Sequence, residues 1–304
     1  MFDRTCVVAD IAVIVVSHNS ASWLPECLAS IMERAGDIDV DLVVVDSESA
    51  DSTARVVAAH GARLIQCVNH GFAYANNRGL ETTTAPWVFF LNPDTRTVSG
   101  SLADLVAQAE GYPETGIFGV RQLGGEGDLE PSMRRFPHPV RWFFEALGSE
   151  RWPIRSSWLG ERVLDPEKYE SPTPCDWTSG SAMLARAHVV RQLGGMDESF
   201  FLYFEEPDLS LRARDTGWAT MHLPTLTIVH YGGNQGSSVA LGAQLAYAQR
   251  QYMRKHMSRG AQILGTGALA TGYALRAVAG PRRPVSRRAL LTVLGLRPAP
   301  FRST

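Results

Sequence analysis

Short apolar runs, each closed by polar residues and followed by a segment with helical spacing, recur through the first 120 residues of this 304-residue chain. No other feature restricts the fold as much. Ile11 to Val16 ends in Ser17-His18-Asn19-Ser20, after which Trp23, Leu24, Cys27, Leu28, Ile31 and Met32 repeat every three to four residues. That is the pattern of a strand, a polar turn and an amphipathic helix. Leu42 to Val45 runs into Asp46, and Asp51-Ser52-Thr53 can cap a helix carrying Ala54, Val57 and Ala58. A strand at Arg63 to Val68, a turn at Asn69-His70-Gly71, a helix over Ala73 to Thr83 and a strand at Trp87 to Leu91 follow. The alternation implies an α/β domain with a mostly parallel sheet and right-handed crossovers. Every loop after a strand then reaches one edge, where open α/β sheets hold ligands.

Further along, Leu102, Leu105, Val106 and Ala109 predict a helix and Ile117 to Val120 a strand. Residues 121–175, rich in Gly and Pro, read as long loops over the sheet edge. Trp177 to Ala185 and Ala219 to Val229 are expected strands, with helices at Asp208 to Arg214 and Leu245 to His256. Ile263 to Ala279 is apolar but broken by Gly265, Gly267, Gly272 and Arg276, which is too short an uninterrupted run for a membrane span and suits an interfacial segment better.

Chemistry-bearing residues stand at the strand ends. Asn92-Pro93-Asp94 directly follows the fully apolar Trp87 to Leu91, so Asp94 comes to a crevice where a hard divalent cation bound to phosphates would seek its oxygen. Alone, the tripeptide is equally good turn chemistry. Neither a Walker A loop nor GxGxxG follows the first strand, so phosphates must be met by other means, and the Gly-rich basic loop of a nucleotidyltransferase is missing too. Asp46 is placed to accept from a nucleobase imide or a ribose hydroxyl, or else to hold a turn. Phe200 to Leu209 drives Glu205, Glu206 and Asp208 into aromatic surroundings, where desolvation raises a carboxyl pKa and suits a general base. Acids there also favour a helix N-terminus, a role that fits Asp208. His230 ends an apolar run before Tyr231-Gly232-Gly233, and Arg134-Arg135 could clamp a phosphate or an acceptor.

Cys6, Cys27, Cys67 and Cys175 are too scattered for a zinc site or a disulfide framework, which suits a reducing, cytoplasmic setting. Asp3 and Arg4 lead straight into a strand pattern without the layout of an export signal. Charge is uneven: 11 of the 29 Lys and Arg residues lie between Thr216 and Thr304, where there is no Asp or Glu, so the other 18 face all 31 acids. A basic tail with interleaved apolar residues points to an anionic membrane surface rather than to nucleic acid, with body packing or a homodimer contact as the other uses.

Taken in order, these passages resemble the family 2 glycosyltransferases of the GT-A fold, within them the bacterial rhamnosyltransferase-like group. The resemblance rests on Val15 to Ser20, Val44 to Ser52, Asn69 to Ala73 with Asn76-Asn77-Arg78-Gly79, Leu91 to Asp94, Gly194 to Phe201, Glu205 to Leu209 and His230 to Gly233, and it spans residues 11 to 238. It implies a Rossmann-like domain over 1–238, with a nucleotide-binding half to residue 120 and an acceptor and catalytic half beyond, and a basic helical extension over 239–304. It further implies donor nucleotide contacts at Ser17, Asn19, Asp46, Ser47, Asn69, Gly71, Asn76 and Asn92, with Asp46 reading the base. Asp94 resembles the last acid of the family's DxD motif, holding Mg²⁺ or Mn²⁺, with Asn92 in place of the first acid and His230 completing the metal or diphosphate site. Metal affinity then leans on the donor diphosphate and His230. Glu206 stands where the family has its catalytic base, often aspartate. Trp177, Gly180, Glu205, Arg134 and Arg135 are the expected sugar and acceptor contacts. The expected reaction is inverting transfer from dTDP-L-rhamnose, or from a UDP-sugar carrying a hexose, N-acetylhexosamine or galactofuranose. The acceptor would be a lipid-linked or cell-envelope glycan such as a polyprenyl-diphosphate sugar, reached from the inner membrane face. A nucleotide-sugar-binding scaffold is the alternative class, against which Asp94, Glu206 and His230 stand.

Overall fold

The computed structural model describes residues 9–152, 156, 159–232 and 238–301. Asp3, Arg4, Cys6, Gly233 and Arg302 lie outside the described residues. The first half follows the expected alternation: β1 (Ile11–Ser17), α1 (Leu24–Glu33), β2 (Val40–Ser47), α2 (Thr53–Ala59), β3 (Arg63–Cys67), α3 (Phe72–Glu81) and β4 (Trp87–Leu91). Then come β5 (Thr95–Ser99), α4 (Leu102–Glu110), β6 (Thr115–Gly124), β7 (Met133–Arg134), α5 (Pro139–Ala146), β8 (Thr173–Cys175), β9 (Trp177–Thr178), β10 (Ala182–Arg186) and α6 (Ala187–Gln192). The chain closes with α7 (Glu205–Asp215), β11 (Ala219–His230), α8 (Val239–His256), α9 (Arg259–Ala279) and α10 (Arg283–Val293).

Among the described residues one nine-stranded sheet runs in the order β3-β2-β1-β4-β10-β6-β11-β5, with β8 pairing onto β11. Six of its nine strands point the same way, because β10, β5 and β8 alone are antiparallel to their neighbours. Alternation along each central strand feeds both faces. Ile11, Val13 and Val15 of β1 and Trp87, Phe89 and Leu91 of β4 pack with α1 and α4. Ile14, Val43, Val45, Val88 and Phe90 pack on the other face with Leu80 of α3, Val190 of α6 and Leu209 of α7. A strand buried on both faces needs apolar residues at every position, which is why these runs do not alternate with polar ones.

Register brings the functional ends level. Ser17 is opposite Asp46, Asp46 opposite Gln66, and Val15 opposite Leu91. The antiparallel β10 begins at this edge, with Ala182 opposite Leu91. The single strand expected from Trp177 to Ala185 is instead two. Trp177 and Thr178 pair with Arg134 and Met133 in a separate two-stranded ribbon, and Ser179 to Ser181 bend away before β10 enters the sheet.

The C-terminal helices are not a loose tail. Tyr252 and Met253 of α8, Leu269 and Tyr273 of α9 and Ala289 and Val293 of α10 share a third core with Trp142 of α5 and Phe200, Phe204 and Leu211 beside and within α7. The glycines that interrupt α9 serve this packing: a Cβ on Gly265 would stand 2.9 Å from the Trp142 ring and 2.7 Å from Met253 Sδ. Lys255, counted among the free basic charges of the extension, is turned inward onto Asp197 and Asp208.

Candidate active site

At the β1, β2 and β3 ends three loops are tied together by their own side chains. His18 Nδ1 lies 2.6 Å from the Ser47 carbonyl oxygen, the Asn19 N–H donates to Ser49 Oγ, and Asn19 Oδ1 accepts from the Ala50 N–H, both at 2.8 Å. Asn69 donates its backbone N–H to Glu48 Oε2 at 2.7 Å. Asn19 and Glu48 hold the left-handed backbone conformation at φ 53° and 54°, an unusual state for non-glycine residues that marks a shaped turn. Asp46 is buried, accepts the Ser49 N–H at 3.1 Å through Oδ1, and has Ser47 beside it at the strand end. Gly71 precedes α3, and the next N–H, of Phe72, donates to the Phe201 carbonyl at 2.7 Å, tying this edge to the α7 approach. Ser17 is fully buried, and Asn76 is 1 % exposed with its Nδ2 donating to Phe72 O inside α3. Both are buried, and Ser17 Oγ and Asn76 Oδ1 have no hydrogen-bond partner. The helical period turns Asn76 into the core.

Behind β4 the loop Asn92-Pro93-Asp94 is anchored from both sides. Asn92 N–H donates to Ser181 O at 2.9 Å, and the Thr95 hydroxyl returns to Asn92 O at 2.7 Å. Asp94 Oδ1 and His230 Nε2 lie 3.5 Å apart, both buried and both without a hydrogen-bond partner. His230 Nδ1 lies 3.2 Å from Glu130 Oε2, which orients the ring as a carboxylate partner does behind a metal-bound histidine. Burial disfavours its charged form, but the Asp94 and Glu130 carboxylates outweigh burial and raise its pKa to about 9. A cation at this pair therefore competes with a proton. Among the described residues no group of three or more His, Cys, Asp or Glu stands at metal-holding geometry, so the protein offers this pair and little more. That suits a Mg²⁺-like ion that takes one or two protein ligands plus phosphate oxygens. Trp23 and Tyr231 stack beside the pair at 5.4 Å between centroids.

Next to it opens a cleft of about 400 Å³, bordered by Asn92, His230, Arg134, Trp177, Gly180, Glu205 and Glu206. Its floor is strained. Tyr203 and Phe204 adopt φ 72° and 73° in succession, each costing about 1–3 kcal/mol in a non-glycine residue, and this kink sets the direction in which α7 begins. Glu206 emerges from the first turn with Oε1 accepting the Gly180 N–H at 2.9 Å. A Cβ on Gly180 would stand 2.6 Å from that oxygen, so glycine is required for the carboxylate to sit there. Burial raises the Glu206 pKa, against the lowering effect of backbone N–H groups including that of Gly180 and of the Arg134 charge. Glu205 is 2 % exposed with Oε2 unpartnered, and burial, reinforced by Glu206, holds its pKa well above the carboxylate range. Arg134 lies over the Trp177 ring at 5.8 Å, itself desolvated. Arg135 points elsewhere: its Nη1 donates to the carbonyls of Gly160 and Arg162, so it braces a loop rather than contacting the cleft. Asp208, in the same helix turn, is also structural, bound by Arg212, Lys255 and His256 at 2.8, 2.6 and 2.7 Å.

Sequence reasoning missed Glu130, Trp142, Glu145 and Glu161. Glu130, Glu145 and Glu161 sit in the irregular 121–175 stretch without a motif around them; the Glu130 N–H donates to Gln122 O of β6, Glu145 is carried by α5, and Glu161 is held by its N–H to Glu145 beside the Arg162–Arg134 bridge.

This site is carried by a chain that matches the Glycosyl transferase family 2 model over residues 12–170. The protein belongs to that family. It is 30 % identical over 236 residues to the N-acetylglucosaminyl-diphospho-decaprenol L-rhamnosyltransferase of Mycobacterium tuberculosis, a match covering 72 % of this chain and 75 % of the relative. In fold it is similar to the mannosyltransferase PcManGT of Pyrobaculum calidifontis, solved with GDP-Man and Mn²⁺, at TM-score 0.52 and 18 % identity over 96 % of this chain and 82 % of that one. It is likewise similar to GalNAc-T7, solved with UDP, GalNAc and Mn²⁺, at TM-score 0.57 and 15 % identity over 80 % of this chain and 48 % of that one. The chain is a rhamnosyltransferase-like nucleotide-sugar glycosyltransferase with a GT-A fold.

Proposed function

We propose that this enzyme transfers L-rhamnose from dTDP-L-rhamnose, with inversion, to a polyprenyl-diphosphate-linked sugar. One observation carries the reaction class: Glu206, its proton affinity raised, is pinned through one oxygen by Gly180 in the wall of a cleft it shares with Asn92 and His230. The donor and acceptor rest on likeness to the mycobacterial enzyme, whose name specifies both the rhamnosyl group and the lipid-linked N-acetylglucosamine.

In this reading Glu206 accepts the proton of an acceptor hydroxyl as that oxygen attacks the anomeric carbon. The carbon–oxygen bond to the diphosphate breaks on the opposite face, so configuration inverts without a covalent intermediate. Arg134 and Trp177 border the sugar rings, while Asp46 and the Asn19, Ser47, Asn69 and Gly71 loops hold the nucleotide. Asp94 and His230 would hold Mg²⁺ or Mn²⁺, which when bound offsets charge on the leaving diphosphate. Both solved neighbours were determined with Mn²⁺, and the unpartnered oxygen and nitrogen here suit such an ion. Incubation with dTDP-L-rhamnose, UDP-glucose, UDP-N-acetylglucosamine and UDP-galactofuranose with Mn²⁺ should release nucleotide fastest from the first. Release from a UDP-sugar instead would reassign the donor, and none from any would refute the reading.

Peripheral attachment to an anionic, cytoplasmic membrane face belongs to the same proposal. No described helix is long and apolar enough to cross a membrane. However, Ile263, Leu264, Leu275 and Val278 are exposed along α9, within a segment free of acids. Because α8 to α10 share a core with α5 and α7, deletion of the extension would damage the fold, so the test is I263D/V278D. This variant should lose sedimentation with anionic vesicles. If it sediments unchanged, the stripe is not the anchor, and a concentration-dependent mass abolished by the same change would assign it to a homodimer.

A further inference from the structure

Farther along the same cleft lies a second acidic pair that proton removal by Glu206 does not use. Glu145, on α5, and Glu161, beside the short bridge between Arg162 and Arg134, line the wall together with Trp142. Glu145 accepts the backbone N–H of Glu161 at 2.6 Å, and Trp142 hydrogen-bonds the Glu161 side chain. Glu161 is 9 % exposed, yet its Oε1 has no hydrogen-bond partner although the residue borders open space. A carboxyl kept for stability alone is paired in the fold, since an unmatched buried oxygen only destabilises it. An unpaired one on a residue that lines a cleft is matched by a group that enters and uncovers it.

What enters is constrained by its neighbours. The Arg134 charge lowers the pKa of Glu206 and of Glu161 alike, so the guanidinium lies near both acidic positions. An acceptor whose reacting hydroxyl meets Glu206 shares one cleft with Arg134, Glu161 and the indoles of Trp142 and Trp177. Aromatic walls with carboxyls at the rim match a sugar ring, which offers C–H faces to the one and hydroxyls to the other. We propose that Glu161, positioned by Glu145, is the acceptor-sugar subsite of this cleft, its free Oε1 receiving a hydroxyl of the acceptor ring. Burial and the adjacent Glu145 push the Glu161 carboxyl up to about 8, so near neutrality the pair retains a proton and can both donate and accept, as a hydroxyl does. The assignment rests on the glycosyl-transfer reading and adds to it the residue that selects the acceptor.

The test pairs affinity with stability. Equilibrium binding of a short-chain polyprenyl-diphosphate N-acetylglucosamine and of methyl glycosides of the common hexoses is measured on protein holding dTDP and Mn²⁺, for wild type, E161Q and E161L. Melting temperature is measured on the ligand-free proteins. E161L should weaken binding of the preferred probe at least about tenfold and E161Q less, because an amide can still receive a hydroxyl. E161Q, whose amide oxygen can still accept the Trp142 N–H, should melt at or above the wild-type temperature, since an unmatched buried carboxyl is gone. A merely structural Glu161 would move the other way, with lower melting temperatures and unchanged affinity, and that result would overturn the proposal. A wild type that binds none of the probes would also overturn it, while nucleotide-sugar turnover, measured separately, stands or falls on its own.

Discussion

The two halves of this molecule treat polar groups in opposite ways. At the β1 to β3 edge the loop side chains largely satisfy one another: His18 contacts Ser47, Asn19 contacts Ser49 and Ala50, and Asn69 contacts Glu48, with Ser17 Oγ and Asn76 Oδ1 as buried exceptions behind them. Across the β4, β10 and α7 edge the groups are left wanting, with Asp94 Oδ1, His230 Nε2, Glu161 Oε1 and Glu205 Oε2 all buried and unpartnered. One edge is a preformed cradle, and the other stores unmet hydrogen-bonding capacity and backbone strain at Tyr203 and Phe204. Unmatched groups destabilise the free protein, and the α7–α8 ion cluster around Asp208 together with the third core is what holds that edge in place.

The contrast can be broken by removing each device in turn. Glu206→Gln keeps the shape but not the base, and should lower kcat by about 10³-fold with the melting temperature retained, read by nucleotide release. Asp94→Asn removes the charged member of the metal pair and should cost about 10²-fold in kcat/KM, partly recovered by raising Mn²⁺. Gly180→Ala forces Glu206 Oε1 aside by the 2.6 Å clash and should lower kcat by about 10-fold to 10²-fold, leaving donor KM nearly unmoved. Asp208→Asn touches stability rather than chemistry. It breaks a fully buried carboxylate's contacts with Arg212, Lys255 and His256 and should destabilise the fold by about 3 kcal/mol in denaturant titration. Burial works against the charged form of Asp208, but its hydrogen bonds from His256 and Lys255 hold its pKa below the ordinary aspartate value. Its contribution is therefore complete above about pH 4 and is lost as pH falls through the lower folded value.

The parallel half was legible because fully buried strands write continuous apolar runs, and the residue that closes each run is set at the edge by register. Asp46, Asp94 and His230 close such runs, and the structure sets all three at strand ends. Glu206 drew notice because a carboxylate beside Phe200, Phe201 and Phe204 is chemically conspicuous. Asn76 and Arg135 were not separable from true edge residues, since their positions depend on the rotation of α3 and on a loop carbonyl at Gly160. Glu145 and Glu161 left no local signal, because their environment is assembled from α5, β7 and β9, brought together by long-range packing that periodicity does not encode. The extension showed its charge but not its role, because the inward turn of Lys255 and the close approach at Gly265 are tertiary facts.

If Glu206 is the base, its pKa, raised by burial above the ordinary glutamate value, sets the pH dependence of transfer. A base acts only when deprotonated, so transfer should fall on acidification, with a midpoint above that value and full activity at higher pH. The decisive measurement is the pH profile of kcat/KM for nucleotide release, with Mn²⁺ and acceptor present, in wild type and in Glu206→Gln. The account predicts an acid limb in the wild type that vanishes from the variant's residual rate. An identical acid limb in both, or a variant as fast as the wild type, would contradict it.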